Sequence, residues 1–228
     1  MKKANRIMKC FTLIAACLLF ITLTACFTTP ASSTSKHKGK RADRWLLIGD
    51  SYSRRPLNNK NKTWPVQLRK KLKLKASKVH IIQRSGYGIA RKDKNFYQVI
   101  KKLPANRKVR YIVLQSGPRN DRKASKRQIY KATKRLARLI RKKFPKAHVY
   151  YASPNWDVRS EKKQELIRER KKWYKKFAKK VGWTYMSSVQ NIYVGDDDWS
   201  EEDGHHPNLK GVNKLSSKMA KSLKRVAK

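Results

Sequence analysis

Residues 45–51 read Trp45-Leu46-Leu47-Ile48-Gly49-Asp50-Ser51. Four apolar residues in a row, closed at once by Gly, describe a strand covered on both faces; a strand with one wet face would alternate. The signature recurs at 79–82 (Val-His-Ile-Ile), 109–114 (Val-Arg-Tyr-Ile-Val-Leu) and 147–152 (Ala-His-Val-Tyr-Tyr-Ala), and more weakly at 183–186 (Trp-Thr-Tyr-Met). Turn residues follow: Gly86, Gly117 and Ser153-Pro154. The stretches between read as helices, at 64–74, 94–103, 125–144, 161–181 and 208–226. The third carries Ile129, Leu136, Leu139 and Ile140 at helical spacing and is stopped by Pro145. The fourth carries Leu166, Ile167, Trp173, Tyr174 and Phe177, and the last Leu209, Val212, Leu215, Met219 and Leu223. Strand alternating with helix predicts an α/β domain whose parallel sheet has helices on both sides. Ligands of such sheets sit beyond the carboxyl ends of the strands, so chemistry is sought in the turns that follow them.

Four such segments carry it. Gly49-Asp50-Ser51-Tyr52-Ser53 follows the first strand. A Ser there presents its hydroxyl at the sheet's rim, and a helix start leaves backbone N–H groups free for an oxyanion. Asp203-Gly204-His205-His206-Pro207-Asn208 precedes the last helix. A serine hydroxyl needs a base, imidazole is that base near neutral pH, and a carboxylate fixes the imidazole tautomer. Asp203 and His206 are three apart, so one turn brings them together, with His205 the neighbouring alternative. Gln115-Ser116-Gly117-Pro118-Arg119-Asn120-Asp121 follows the third strand and offers an Asn amide as a donor; an ordinary turn with Asn-Asp as helix cap is the plainer use of the same residues. Gln83-Arg84-Ser85-Gly86-Tyr87-Gly88 follows the second strand, where a glycine lets a backbone N–H approach a substrate oxygen closely.

In this order and at these intervals, the four segments resemble those of the SGNH, or GDSL-type, hydrolases. The resemblance spans about residues 44 to 226, and the segment from Asp203 through Gly211 is its most specific part; Trp64-Pro65 is also usual for the family. It implies a three-layer α/β/α sandwich around a mostly parallel five-stranded sheet, flavodoxin-like. It implies a serine esterase with Ser51 as nucleophile and Asp203 and His206 completing the triad. The oxyanion would be held by the Ser51 N–H, a glycine N–H and the Asn120 amide, with no cofactor and no metal. Three positions depart from the family pattern. Gln83 stands where Asn is common, and counting from it reaches Gly88, with Gly86 a close competitor. Pro118 replaces a Gly. The run after the nucleophile, Tyr52-Ser53-Arg54-Arg55, is more basic than most. The acidic run from Asp196 to Asp203 holds six of the 14 acids, and reads as a surface loop ahead of a calcium-like site. No Gly-x-Ser-x-Gly elbow and no phosphate-binding Gly-rich loop with Lys-Ser/Thr is found in the sequence.

The start of the chain is an address. Lys2, Lys3, Arg6 and Lys9 precede an apolar run from Phe11 to Leu23, and Leu23-Thr24-Ala25-Cys26 closes it. These four residues resemble a bacterial lipobox, which implies a signal peptide over 1–25 and a lipidated Cys26. Residues 26–41 read as a flexible, basic, Ser/Thr-rich tether, and 42–228 as the hydrolase domain. The three cysteines all lie in the first 26 residues, which excludes a disulfide framework or a Cys-based metal site in the body of the protein. The formal charge is +45, from 59 Lys+Arg against 14 Asp+Glu. Such an excess attracts polyanions. The expected partners are an ester substrate associated with the envelope, the membrane through the lipid anchor, and an anionic polymer through the basic surface; nucleic acid is not expected. The protein is placed outside the cytoplasm, on the bacterial cell membrane. The rival from another class is an inert basic scaffold that binds wall polymer or nucleic acid and catalyses nothing.

Overall fold

The computed structural model describes residues 44–53, 62–154, 161–194 and 197–227, leaving out the side chains of 161–164 and 197. The proposed leader, Cys26 and the tether lie outside these residues. Five strands, β1 (Arg44–Gly49), β2 (Val79–Gln83), β3 (Val109–Gln115), β4 (His148–Ala152) and β5 (Thr184–Tyr185), form one sheet in the order β2-β1-β3-β4-β5. All four pairings are parallel. The helices are α1 (Trp64–Lys71), α2 (Phe96–Lys102), α3 (Lys126–Lys143), α4 (Glu161–Lys180) and α5 (Leu209–Leu223).

Successive residues of a strand point to opposite faces, and β1 serves two cores in this way. Leu46 and Ile48, with Ile112 and Leu114 of β3, pack under Phe96 and Ile100 of α2, Ile129, Leu136 and Ile140 of α3, and Tyr174 and Phe177 of α4. Trp45 and Leu47, with Tyr111 and Val113, pack under Trp64 and Leu68 of α1 and Val212, Leu215 and Met219 of α5. The result is the expected three-layer α/β/α sandwich, with a sheet that is parallel throughout rather than mostly so.

The order of strands reverses between β1 and β3: the chain leaves β1 to one side for β2, then returns past it to β3. A crevice opens at the carboxyl edge where such a reversal occurs. Ser51 and Asn120 follow the two strands that flank it.

Helix ends differ from the sequence expectation where local hydrogen bonds decide them. The helix expected over 64–74 stops at Lys71, because Lys73 turns left-handed (φ 54) while its N–H donates to Lys70 O and that of Leu74 to Arg69 O. This pairing is the Schellman closure, which usually takes Gly at the left-handed position. The helix expected from 94 starts at Phe96, since Asn95 accepts from Gln98 N and caps it. At α3, Ser125 and Gln128 form a reciprocal capping box.

Candidate active site

The site begins with Asp50. Its side chain is buried, accepting at Oδ1 from Tyr52 N (2.9 Å) and Gln115 Nε2 (2.9 Å), and at Oδ2 from Gly117 N (2.8 Å) and Asn120 Nδ2 (3.0 Å). Burial pushes its carboxyl pKa up, and the surrounding donors oppose that. All four contacts are donors, which is the environment of a carboxylate. Asp50 thereby ties the turn after β1 to the turn after β3. Gly49 is needed beside it, since a Cβ there would lie 2.7 Å from the Ser53 Cβ.

Ser51 is half-buried and opens a single 3-10 turn, Ser51–Ser53. Ser53 closes the turn, donating from N (3.0 Å) and from Oγ (2.6 Å) to Asp50 O. As the first residue of that turn, Ser51 has an N–H with no acceptor inside it.

Asp203 and His206 meet as their spacing predicts. His206 Nδ1 lies 2.5 Å from Asp203 Oδ2, while Asp203 Oδ1 accepts from the backbone N–H of His206 (2.9 Å) and of His205 (3.1 Å). A carboxylate on Nδ1 holds the proton there and leaves Nε2 as the acceptor of the neutral ring. Partial burial of Asp203 works against ionisation, but the bonds from His206 and from the two amides outweigh it and hold the carboxyl well below the usual range. Gly204 makes the turn at φ 66, and Glu201 N donates to His206 O (2.8 Å), so the loop is braced from both sides. Asn208 then caps α5, accepting from Gly211 N at 3.0 Å. His205 turns its Nδ1 to the backbone oxygen of Asp203 (2.8 Å) instead, and burial lowers its pKa. The geometry thus gives the Asp203 carboxylate to His206.

The Tyr52 ring, one residue after Ser51, faces the His206 ring edge-on with centroids 6.5 Å apart. His206 also lies within electrostatic reach of Asp50. The loop before α5 and the turn after β1, about 150 residues apart in the chain, therefore share one end of the sheet.

The remaining predicted oxyanion donors are engaged. Asn120 Nδ2 donates to Asp50 Oδ2 and also to Tyr87 O (2.9 Å). Gly88 N donates to Lys94 O (2.9 Å), and Gly88 O accepts from Phe96 N (3.1 Å). Buried donors find carbonyl partners in this way wherever the chain supplies them. Gly88 has a further reason to be glycine, because a Cβ would lie 2.2 Å from Asp121 Oδ1. The competing Gly86 sits at φ 75 in the turn closed by Tyr87 N to Arg84 O (3.2 Å).

Asp121, read from sequence as an Asn-Asp helix cap, has a larger part. It accepts from Ile89 N (3.0 Å), Ala90 N (2.9 Å) and Tyr174 Oη (2.6 Å), and burial raises its pKa against these bonds. Arg170, also buried, donates to the backbone oxygens of Asp121 (2.7 Å) and Arg122 (2.8 Å). The place of Asp121 directly after Asn120 was the available signal. Gln115 and Gln83 were likewise missed as supports: Gln115 holds Asp50, and Gln83 Nε2 donates to Ser53 O.

Among the described residues, Asp203, His205 and His206 form the one group of three whose ligand atoms could meet a metal ion, lying within 4.8 Å of one another. Both Nδ1 atoms already face Asp203. The acidic run lies partly outside the described residues; within them, Asp198 pairs with Lys210 at 3.1 Å.

The chain matches the model of the GDSL-like Lipase/Acylhydrolase family over residues 47–213. Its fold is similar to that of a family two carbohydrate esterase from Clostridium thermocellum (TM-score 0.61, 14% identity), with 81% of this chain and 65% of that one covered. It is also similar to a member of the lipolytic protein G-D-S-L family from Veillonella parvula (TM-score 0.61, 16% identity, 79% and 97% covered). A third similar structure is phospholipase A1 from Streptomyces albidoflavus (TM-score 0.56, 16% identity, 80% and 99% covered). This chain spans just under two thirds of the length of the Clostridium esterase. No match was found among curated protein sequences.

Proposed function

We propose that this chain, which belongs to the GDSL-like lipase/acylhydrolase family, is a serine esterase that uses Ser51, His206 and Asp203 as its triad. Family membership supplies acyl hydrolysis; the assignment of the three residues is our reading. The observation that carries it is the 2.5 Å contact of His206 Nδ1 with Asp203 Oδ2, on a ring that faces Tyr52, the residue after Ser51 in its turn.

In this mechanism the Ser51 hydroxyl attacks the ester carbonyl and passes its proton to His206 Nε2. Asp203 stabilises the imidazolium that forms. The oxyanion is held by the Ser51 N–H and, on exchanging Tyr87 O and Lys94 O for it, by the Asn120 amide and the Gly88 N–H. A preorganised donor is worth about 3 kcal/mol in the transition state; the Asn120 amide and the Gly88 N–H contribute less by the cost of the bonds they give up. The alcohol leaves with the proton from His206, and water repeats the sequence on the acyl-enzyme.

The substrate we favour is an acylated polymer of the cell envelope, such as an O-acetylated glycan, ahead of a lipid or small ester. The protein would reach it from the outer face of the membrane, held by acyl chains on Cys26. Similar folds in a carbohydrate esterase and a phospholipase are in keeping with either chemistry.

A fluorophosphonate probe tests the triad. Wild type should label, Ser51→Ala should not, and His206→Ala should label at least about 10³-fold more slowly. Silence of the wild type, with retained binding to wall polymer, would instead favour the inert scaffold. The engaged Gly88 and Asn120 donors are the observation on that side.

A further inference from the structure

A cavity of about 530 Å³ opens beside Asn120, between the loop after β2 and the loop after β3. Both loops lie at the carboxyl edge of the sheet, the edge that carries Ser51. The cavity's walls include Arg91, Lys92, Arg122 and Lys123, with Asp93 and Asp121 the acids among them. The two acids do not cancel the cations, although the Asp121 carboxylate is within electrostatic reach of Arg91. Asp93 is taken by Arg91 (2.9 and 3.2 Å), and Asp121 points inward to Ile89, Ala90 and Tyr174. That leaves Lys92, Arg122 and Lys123 with no acidic partner among the cavity's own residues. Arg119, the residue before Asn120, lies within electrostatic reach of Tyr52 and His205. Cations therefore flank Asn120 toward the cavity and toward the His-Asp pair alike.

The lining also tells against an acyl tunnel. Its apolar side chains are two alanines, Ala90 and Ala124, too small to bury an alkyl chain. A space of this size with cationic walls suits a compact, hydrated anion on the alcohol side of the ester.

We propose that this cavity is the subsite for a phosphate carried by the substrate, and that the ester is a short acyl group on a polyol-phosphate unit. The proposal rests on the serine-esterase reading. An acyl group at Ser51 would place its alcohol across Asn120, and the phosphate would meet Arg122 and Lys123.

The test compares acetylglycerol 3-phosphate with acetylglycerol, which differ by the phosphate alone, using the full-length protein. Wild type should prefer the phosphate ester in kcat/KM by about tenfold or more at low salt, and the preference should shrink as salt screens the charges. In Arg122→Gln/Lys123→Gln the preference should fall toward unity, and glycerol 3-phosphate should weaken correspondingly as a competitive inhibitor. Equal rates on the two esters in wild type, or an equal fall on both in the double variant, would overturn the subsite. Preference for vesicular lysophosphatidylglycerol over the soluble phosphate ester would also overturn it, by placing the phosphate on a lipid. Hydrolysis of neither ester, with no fluorophosphonate labelling, would overturn the esterase reading itself and the subsite with it.

Discussion

Asp203 shows what one carboxylate does here. One oxygen orients the His206 ring and the other holds the two backbone amides that shape the loop. Asp203→Asn removes the charge and can present an amide donor to Nδ1, favouring the wrong tautomer. On the serine-esterase reading, kcat should fall about 10³–10⁴-fold with KM little changed, measured on a neutral ester. Stability should follow pH in a stated direction. The folded pKa of Asp203 is depressed, so its ionisation stabilises the fold above the unfolded value of about 3.9, and that contribution is lost as pH falls through the folded value. The difference in melting temperature between wild type and Asp203→Asn should shrink as pH falls below about 4. A difference that kept growing below about pH 4 would sink this account. The contact itself was legible from the sequence, because residues three apart in a tight loop are brought together by local geometry.

Elements were legible for a similar reason. Runs such as 45–48 and the apolar stripe of α3 are periodic within their own segment, so all five strands and five helices follow from local pattern. The supports of the site were not, because they join segments 30 to 70 residues apart. Tyr174 is the clearest case. Its place in the stripe of α4 marks it as core, and it is core, but its hydroxyl also reaches Asp121 at 2.6 Å. Arg170, one turn earlier on α4, grips the same turn from its backbone side. The long helix thus braces the loop that carries Asn120 and, through Asp121, the loop that carries Gly88. Tyr174→Phe leaves the ring in place and takes one donor from a buried carboxylate. It should destabilise the fold by about 1–3 kcal/mol in denaturant titrations, with an unchanged m-value. A loss near zero would mean that Asp121 is satisfied without the Tyr174 hydroxyl, and would leave Arg170 as the hold of α4 on this turn.

At the scale of the whole molecule, the charge of +45 was plain from the sequence, but its concentration beside Asn120 was not, because Lys92 and Lys123 line one cavity only when the sheet forms. The same charge bears on the proposed attachment to a membrane. No helix among the described residues is long and apolar enough to cross a membrane. Two attachments then compete as explanations: acyl chains on Cys26, and attraction of the basic surface to anionic lipid or polymer. Salt separates them, because at 1 M the screening length is about 3 Å and surface attraction is largely lost, while burial of acyl chains is not weakened. If Cys26 is lipidated, wild type should stay with the membrane fraction through a 1 M salt wash. Cys26→Ala should sediment with membranes at low salt, held by charge, and be released by the wash. Release of the wild type under the same wash would leave charge as the whole of the attachment, and Cys26 without the part proposed for it.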